Sequence, residues 1–324
     1  MSSFDTLLQN IEINLRDKQF EEALEGYHQL YFDHRDFFDL HKGQPSPSRK
    51  SHIQNAANLA RRDAYDKFRF LEDVSERLAL ALAQFLGLTP RKFQYSEQQP
   101  NFFYIPDLPS KPFFDVNEIP QLSEYIVKLQ ECRGELIKLS ENVSEKYTDN
   151  FSNIPSTVDW REISEKWSSS HLAKKGAFTP LADTVSPRLK KLLHDDIHAH
   201  CPPHSPEIVL SVLAPGAYIP PHFGISNFRL TVHVPLKVTP AAVLKVAGQT
   251  FNWSDEKNVL IFDDSFRHSA SNDADSARSV LIFEVWNPHL TQPERKAIEK
   301  FMLSYDEWNK KIGPLATIDR LLYT

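Results

Sequence analysis

The chain has 324 residues, a formal net charge of −6, 41% hydrophobic residues and only nine glycines. The apolar content is sufficient for a packed core, so wholesale disorder is excluded, and the length predicts about two domains. Neither GxGxxG nor GxxxxGK[ST] occurs, which removes the main support for a nucleotide-binding protein. The mild acidity argues against nucleic-acid or membrane-surface partners, because affinity for these anions comes largely from clustered Lys and Arg.

The amino-terminal residues and the cysteines bear on the cellular compartment. The stretch MSSFDTLLQNIEINLRD carries charges where a signal peptide requires an apolar segment. The most apolar run, residues 78–88, is too short to cross a bilayer. Cys132 and Cys201 form no CxxC pair and no disulfide framework. We therefore expect a soluble, unexported protein of the cytoplasm.

The first ninety residues show helical periodicity. Apolar residues fall on one face over residues 4–15 and again over residues 20–31, which predicts two amphipathic helices in a hairpin. Helical patterning resumes over residues 53–86, and a proline- and aromatic-rich stretch then interrupts it. We place a domain boundary near residue 95, with a helical N-terminal region over residues 1–95 and a second domain over residues 96–324.

The second domain is predicted to begin with a helix over residues 122–139 and to continue in strands from Glu207 onward. Period-two patterning and β-branched residues predict strands over residues 207–216, 227–238, 241–248, 258–266 and 277–287. Five short strands without intervening helices are typical of an antiparallel sandwich or barrel. Thr291 and Glu294 then form a capping box for a C-terminal helix. The predicted fold class is α+β.

The strand over residues 227–238 is the most informative segment. Its alternation places Arg229, Thr231 and His233 on the face opposite a row of apolar residues. His222 precedes this strand, whereas His268 and Arg278 follow it, ten residues apart. Ferrous iron accepts imidazole ligands on one face, and a nearby arginine suits capture of a carboxylate. The layout therefore matches a non-haem iron site.

The runs HFGISNFRLTVHVPLKV, NVLIFDDSFRHSA and SARSVLIFEVWNPHLT resemble the catalytic core of the aspartyl/asparaginyl β-hydroxylase family of Fe(II)/2-oxoglutarate dioxygenases. The resemblance covers about residues 205–292. It implies a double-stranded β-helix core (jelly-roll, cupin-like) with a helical N-terminal region and a C-terminal helix. It also implies that His222 and His268 are the iron ligands. Gly224 stands where most 2-oxoglutarate oxygenases have Asp or Glu, and glycine is characteristic of this family.

The resemblance further assigns the residues around the metal. It implies that Arg278, with Ser211, holds the distal carboxylate of 2-oxoglutarate and that His233 lies near the metal-chelating end. Arg229 matches a position that helps to bind the carboxylate of a substrate aspartate. The family commonly has a second arginine two positions further, where this chain has Thr231. The resemblance therefore does not extend to full recognition of an acidic substrate.

The implied reaction is hydroxylation of an unactivated carbon, expected to be a β-carbon. The expected substrate is an amino acid, an amino-acid residue, a peptide or a natural-product intermediate. O2 is the second co-substrate, and succinate and CO2 are the co-products. The N-terminal helices are expected to shape substrate access or to form a homodimer contact.

Two other functions stay open at this point. Glycine in place of a carboxylate ligand also characterises 2-oxoglutarate halogenases, in which chloride takes the vacant position, here at Gly224. Alternatively, the helical region is the working part of a non-catalytic peptide-binding or scaffolding protein.

Two further groups of residues are interpreted as structural and not as part of a functional site. Residues 194–204 contain four histidines and Cys201, which could bind zinc, but they lack a recognised finger spacing and are interpreted as a loop. Asp263 and Asp264 are interpreted as part of the strand-and-turn framework, because Asp side chains in turns bond to the local backbone.

Overall fold

The structure is a computed structural model that describes residues 3–42, 45–143, 145–146, 166–253 and 258–322. The chain forms two compact units, one comprising Met1–Asp73 and Leu303–Thr324 and the other Val74–Met302. The domain boundary near residue 95 stays a prediction. Within the described ranges, no helix is both long enough and apolar enough to cross a membrane.

The first unit contains helices α1 (Ser3–Arg16), α2 (Phe20–Asp33) and α3 (Pro47–Phe68). Helices α1 and α2 form the predicted hairpin. A Cβ on Gly26 would lie 2.6 Å from Cγ1 of Ile11, so glycine permits the close approach of the two helices. The hydroxyl of Tyr27 and Nδ1 of His52, 2.9 Å apart, connect α2 to α3.

The helices of the second unit begin at Glu76. They are α4 (Glu76–Phe85), α5 (Leu122–Gln130), α6 (Arg133–Glu141), α7 (Pro187–Leu193) and α8 (Gln292–Lys311), whose residues after Met302 belong to the first unit. The single helix predicted over residues 122–139 is two helices, because the chain leaves helical geometry at Cys132 (φ −96°, ψ 4°). The predicted capping box at the start of α8 is confirmed: Glu294 accepts hydrogen bonds from N and Oγ1 of Thr291, both at 2.9 Å.

The strands of the second unit form two antiparallel sheets. They are β1 (Phe113–Phe114), β2 (Glu145–Lys146), β3 (Trp167–Lys174), β4 (Ala177–Phe178), β5 (Ile208–Leu213), β6 (Ala217–His222), β7 (Arg229–Lys237), β8 (Ala242–Val246), β9 (Gln249–Asn252), β10 (Leu260–Phe262), β11 (His268–Asn272) and β12 (Arg278–Trp286). The larger sheet has the order β1-β10-β7-β12-β5-β3-β2, with β4 on β3, and the smaller has the order β6-β11-β8-β9. The predicted α+β class with a jelly-roll core is confirmed.

Each of the five predicted strand segments contains a strand, but β1 to β4, β6, β9 and β11 were not predicted. Strand β6 contains Pro220 and Pro221, and β11 has the sequence HSASN without a β-branched residue. Both features are unfavourable for strands in isolation. Strand β11 nevertheless forms because it pairs with β6 on one side and β8 on the other.

The larger sheet has one face toward the helices and the other toward the smaller sheet. Apolar residues of β7 and β12, such as Leu230 and Phe283, pack with α5, α6 and α7. The core between the two sheets includes Trp253 and Val280. Because side chains alternate along a strand, the polar residues of β7 and Arg278 of β12 point into the space between the sheets.

Candidate active site

His222 and His268 meet in the space between the sheets. His222 ends β6, His268 begins β11, and the two residues are directly paired in the antiparallel ladder, with ring centroids 4.1 Å apart. Nδ1 of His222 donates to the carbonyl of Pro220 at 2.8 Å, and Nδ1 of His268 donates to that of Phe266 at 2.9 Å. Since a carbonyl oxygen can only accept, each Nδ1 carries the proton and each Nε2 presents a lone pair.

The two imidazoles are neutral at pH 7. Burial lowers the pKa of His222 to about 3, with a further contribution from the neighbouring His268. Burial likewise lowers the pKa of His268 to about 4. Among the described residues, no group of three or more His, Cys, Asp or Glu side chains is arranged for a metal ion. The donor set is thus a pair of neutral imidazoles held by backbone carbonyls, which suits a divalent transition metal.

A carboxylate packs against Gly224, two residues after His222. A Cβ on Gly224 would lie 2.3 Å from Cγ of Asp264, so only glycine leaves room for this carboxyl group. Burial raises the pKa of Asp264 to about 6, although Arg229 and a hydrogen bond from Thr231 oppose the shift. Oδ1 of Asp264 is buried and has no hydrogen-bond partner among the described residues. Asp264 is therefore part of the site, whereas Asp263 bonds to the backbone N–H of Ser265, as expected of a framework residue.

Arg278 lies at one end of the site. It is 2% exposed, and its Cζ lies 4.8 Å from the ring centroid of Trp253. Burial lowers its pKa to about 10, so the guanidinium is charged at pH 7. No described carboxylate shifts its pKa, and its Nε has no hydrogen-bond partner among the described residues. A buried cation without a counter-ion is costly, and a bound anion would offset that cost.

Two other predicted residues lie near this arginine. Ser211 is on β5, which pairs with β12, and its Oγ accepts a hydrogen bond from Nε1 of Trp167 at 3.0 Å. The ring of His233 is within 8° of parallel to that of Trp253, with centroids 6.2 Å apart. Burial, and then the charge of Arg278, hold the pKa of His233 well below its usual value. The roles that the resemblance implies for Ser211 and His233 stay predictions.

Arg229 lies at the other end of the site and already has a counter-ion. Its Nη1 donates to Oε2 of Glu284 at 2.7 Å, and Oγ of Ser205 donates to the same oxygen at 2.7 Å. Burial opposes the charge of Arg229, but Glu284 and Asp264 together raise its pKa. Thr231 lies directly opposite Glu284 in the ladder. The arginine that the resemblance assigns to a substrate carboxylate is thus paired with a carboxylate of the chain itself.

A family model described as aspartyl/asparaginyl beta-hydroxylase matches residues 127–288, which is half of the chain. The chain belongs to this family. Membership agrees with the resemblance seen in the sequence around His222, His268 and Arg278.

Individual relatives match over parts of their length. The human aspartate beta-hydroxylase domain-containing protein 2 is 29% identical over 210 residues, which cover 63% of this chain and 55% of that protein. The human aspartyl/asparaginyl beta-hydroxylase is 39% identical over 93 residues, covering 28% and 12%. A structure titled as an oxidoreductase of the 2OG-Fe(II) oxygenase family from Burkholderia pseudomallei has 10% identity and a TM-score of 0.30, covering 50% and 89%. The match spans 55% of the length of this human protein 2 and 60% of that of its mouse counterpart.

Three residues beside this site are not among the predicted site residues: Trp253, Glu284 and Asp264, the last of which the sequence places in the framework. The alternation in residues 277–287 could have identified Glu284, because it lies an even number of residues from Arg278 and therefore on the same face. Trp253 carried no such signal, since it lies just beyond the end of β9.

The histidine-rich segment contributes to packing. Nε2 of His198 lies 3.1 Å from the hydroxyl of Tyr125, and Nδ1 of His200 lies 2.7 Å from Oε1 of Glu299. Cys201 is buried as a free thiol. These side chains have separate partners, in agreement with the interpretation as a loop.

Proposed function

We propose that the protein is an Fe(II)- and 2-oxoglutarate-dependent hydroxylase that acts on the β-carbon of an amino acid, an amino-acid residue or a peptide. The observation that carries this proposal is the pair of neutral imidazoles of His222 and His268, with ring centroids 4.1 Å apart, near Arg278, a buried guanidinium without a counter-ion among the described residues. Membership of the β-hydroxylase family supports the reaction type. The donor set fits ferrous iron, which tolerates imidazole ligands and open positions.

Each residue has a distinct part in this proposal. His222 and His268 would hold the iron through Nε2, and their Nδ1 hydrogen bonds to backbone carbonyls fix the orientation of the rings. When bound, iron and 2-oxoglutarate supply the oxidising chemistry, in which 2-oxoglutarate, O2 and a C–H bond give succinate, CO2 and an alcohol. Arg278 would hold the distal carboxylate of the co-substrate by charge-assisted hydrogen bonds. The ring of Trp253 lies 4.8 Å from Cζ of this guanidinium.

The position of Asp264 favours hydroxylation over halogenation. A chloride in the position left by the glycine side chain would lie beside the Asp264 carboxylate, which packs against Gly224. Two like charges at such a separation repel strongly when they are shielded from water. An inert scaffold, in turn, gains nothing from a buried arginine that has no counter-ion among the described residues, because an unpaired buried charge lowers stability.

The test is succinate formation from 2-oxoglutarate with Fe(II), O2 and a panel of amino acids and peptides. We expect substrate-dependent turnover, with a product heavier by one oxygen atom, and its loss in His268→Ala. His200→Ala removes an exposed histidine outside the site and should keep full activity. Unchanged turnover in His268→Ala would contradict the proposal, and a chlorinated product in chloride buffer would support the halogenase instead.

A further inference from the structure

Residues 97–103, the clamp segment, lie across the two turns that carry the predicted iron ligands. One β-bridge joins this segment to the loop after His222, and another joins it to the turn before His268. The segment lies outside residues 127–288, which match the family model. The family match therefore assigns no role to the clamp segment, and its contacts with the two turns are a separate observation.

The clamp segment holds the peptide group that orients His268. The carbonyl of Phe266 accepts the hydrogen bond from Nδ1 of His268. The N–H of the same peptide group belongs to Arg267 and donates to the carbonyl of Glu97 at 2.7 Å. Because a peptide group is planar, this bond to Glu97 fixes the direction in which the Phe266 carbonyl points. The orientation of the His268 imidazole therefore depends on the clamp segment.

The side chain of Gln98 fixes the same turn from within the protein. It is 0% exposed, and its Nε2 donates to Oδ2 of Asp263 at 3.3 Å and to Oγ of Ser265 at 3.0 Å. Oδ1 of Asp263 accepts a hydrogen bond from the backbone N–H of Ser265 at 3.0 Å. Both acceptors of the Gln98 amide thus belong to the turn that leads to His268, and the amide holds this turn against the clamp segment.

Asn101 holds the peptide group that follows Phe223 in the other turn. Its Nδ2 donates to the carbonyl of Phe223 at 2.9 Å, and its backbone N–H donates to the carbonyl of Gly224 at 2.9 Å. The N–H of Gly224, in the same peptide group as the Phe223 carbonyl, donates to the carbonyl of Asp264 at 2.6 Å. The turn after His222 is therefore bonded both to the clamp segment and to the turn before the second histidine.

We propose that the clamp segment fixes the relative orientation of the imidazoles of His222 and His268, and that Gln98 and Asn101 are positioning residues for the metal. The proposal rests on the proposed function, because it takes these two histidines as the metal ligands. Outer hydrogen bonds orient ligands before the metal arrives, and their loss typically lowers metal affinity about 10–100-fold. The amides of Gln98 and Asn101 act through backbone peptide groups, so we expect the lower end of this range.

The experiment measures the binding of Co(II) to the full chain under nitrogen. Calorimetry gives the dissociation constant, and the visible d–d bands of the Co(II)-saturated protein report the arrangement of the ligands. Gln98→Met keeps the length of the side chain but removes the amide. We expect the dissociation constant to rise about tenfold and the d–d bands of the saturated protein to shift. A purely structural role would lower the stability of the fold and leave the bands of the saturated protein unchanged.

Two further variants complete the experiment. Asn101 is exposed, so Asn101→Ala should fold even if Gln98→Met does not, and it should raise the Co(II) dissociation constant and shift the bands in the same way. Gln99→Met is the matched control, because Gln99 is exposed and its Nε2 donates to the carbonyl of Ser96 within the same stretch of chain. This control should keep the affinity and the spectrum of the wild type.

The outcomes separate the inference from the proposed function. Shifted bands in Gln98→Met or Asn101→Ala, with an unchanged control, support the inference. Wild-type affinity and bands in every site variant that folds, or an equal change in Gln99→Met, would overturn it. A wild-type protein that binds no Co(II), or Co(II) binding that is unaltered in His268→Ala, would contradict the proposed function itself.

Discussion

Two buried arginines lie on the inner face of the larger sheet, in opposite electrostatic situations. Arg278 is 2% exposed and Arg229 is 7% exposed. Arg229 has Glu284 at 2.7 Å, and the neighbouring carboxylates raise its pKa despite burial. Arg278 has the ring of Trp253 beside it, and burial alone lowers its pKa. Burial is therefore the same for the two residues, and the counter-charge is different.

The difference separates a structural cation from a ligand-binding one. A guanidinium whose counter-ion belongs to the chain is compensated in the folded protein without a ligand, and removing either partner leaves a buried charge unpaired. A guanidinium without such a partner destabilises the ligand-free fold, and a bound carboxylate offsets that cost. Arg278 has the properties of a binding site for an anion, and Arg229 has those of a fixed internal ion pair.

The largest expected effect is the loss of stability caused by Arg229→Met. Because Glu284 would remain buried without a counter-ion, we expect the free energy of unfolding to fall by about 3–5 kcal/mol. Urea denaturation of the protein without metal or 2-oxoglutarate measures this change. The double variant Arg229→Met, Glu284→Leu removes both charges and should recover most of the loss. If Arg229→Met is as stable as the wild type, Glu284 does not depend on Arg229 as its counter-ion.

Arg278→Met should weaken ligand binding without lowering stability, the opposite of what we expect for Arg229→Met. We expect the dissociation constant of 2-oxoglutarate to rise about 100-fold, since the carboxylate loses a buried charged partner. The free energy of unfolding of the ligand-free protein should stay the same or increase, because the described part of the chain supplies no counter-ion for the charge that is removed. Arg188→Gln changes an exposed arginine and serves as the control. A loss of stability comparable to that of Arg229→Met would remove the distinction between the two arginines.

The inner face of the larger sheet could be predicted from the sequence because its central strands follow a strict period of two. Strand β7 directs the side chains of Arg229, Thr231 and His233 toward the smaller sheet, and apolar residues that face the helices alternate with them. The order of His222, His268 and Arg278 also predicted that the two histidines lie together, and the structure pairs them. These features depend on the local periodicity of the sequence and on the order and spacing of residues along the chain.

The partners of the two arginines could not be predicted in the same way. Which carboxylate meets Arg229 depends on the register between β7 and β12, which pairs Glu284 with Thr231. Register is set by packing over the whole sheet, and a shift of one residue would reverse the face of every side chain. The place of Asp264 depends on the turn between β10 and β11, which brings it against Gly224. Long-range geometry thus decided the charge balance of the site.

The smallest expected effect concerns the indole beside Arg278. Trp253→Phe keeps an aromatic ring but weakens the cation–π contact, whose contribution is roughly 0.5–2 kcal/mol, so we expect 2-oxoglutarate affinity to fall several-fold while Arg229 and Glu284 stay paired. The same indole should report binding: adding 2-oxoglutarate to the Fe(II)-loaded protein under nitrogen should change the tryptophan fluorescence. That change should persist in Trp308→Phe, which alters a tryptophan of the other unit, and disappear in Trp253→Phe. If it persists in both, the indole of Trp253 does not respond to 2-oxoglutarate, and its contact with Arg278 is not part of ligand binding.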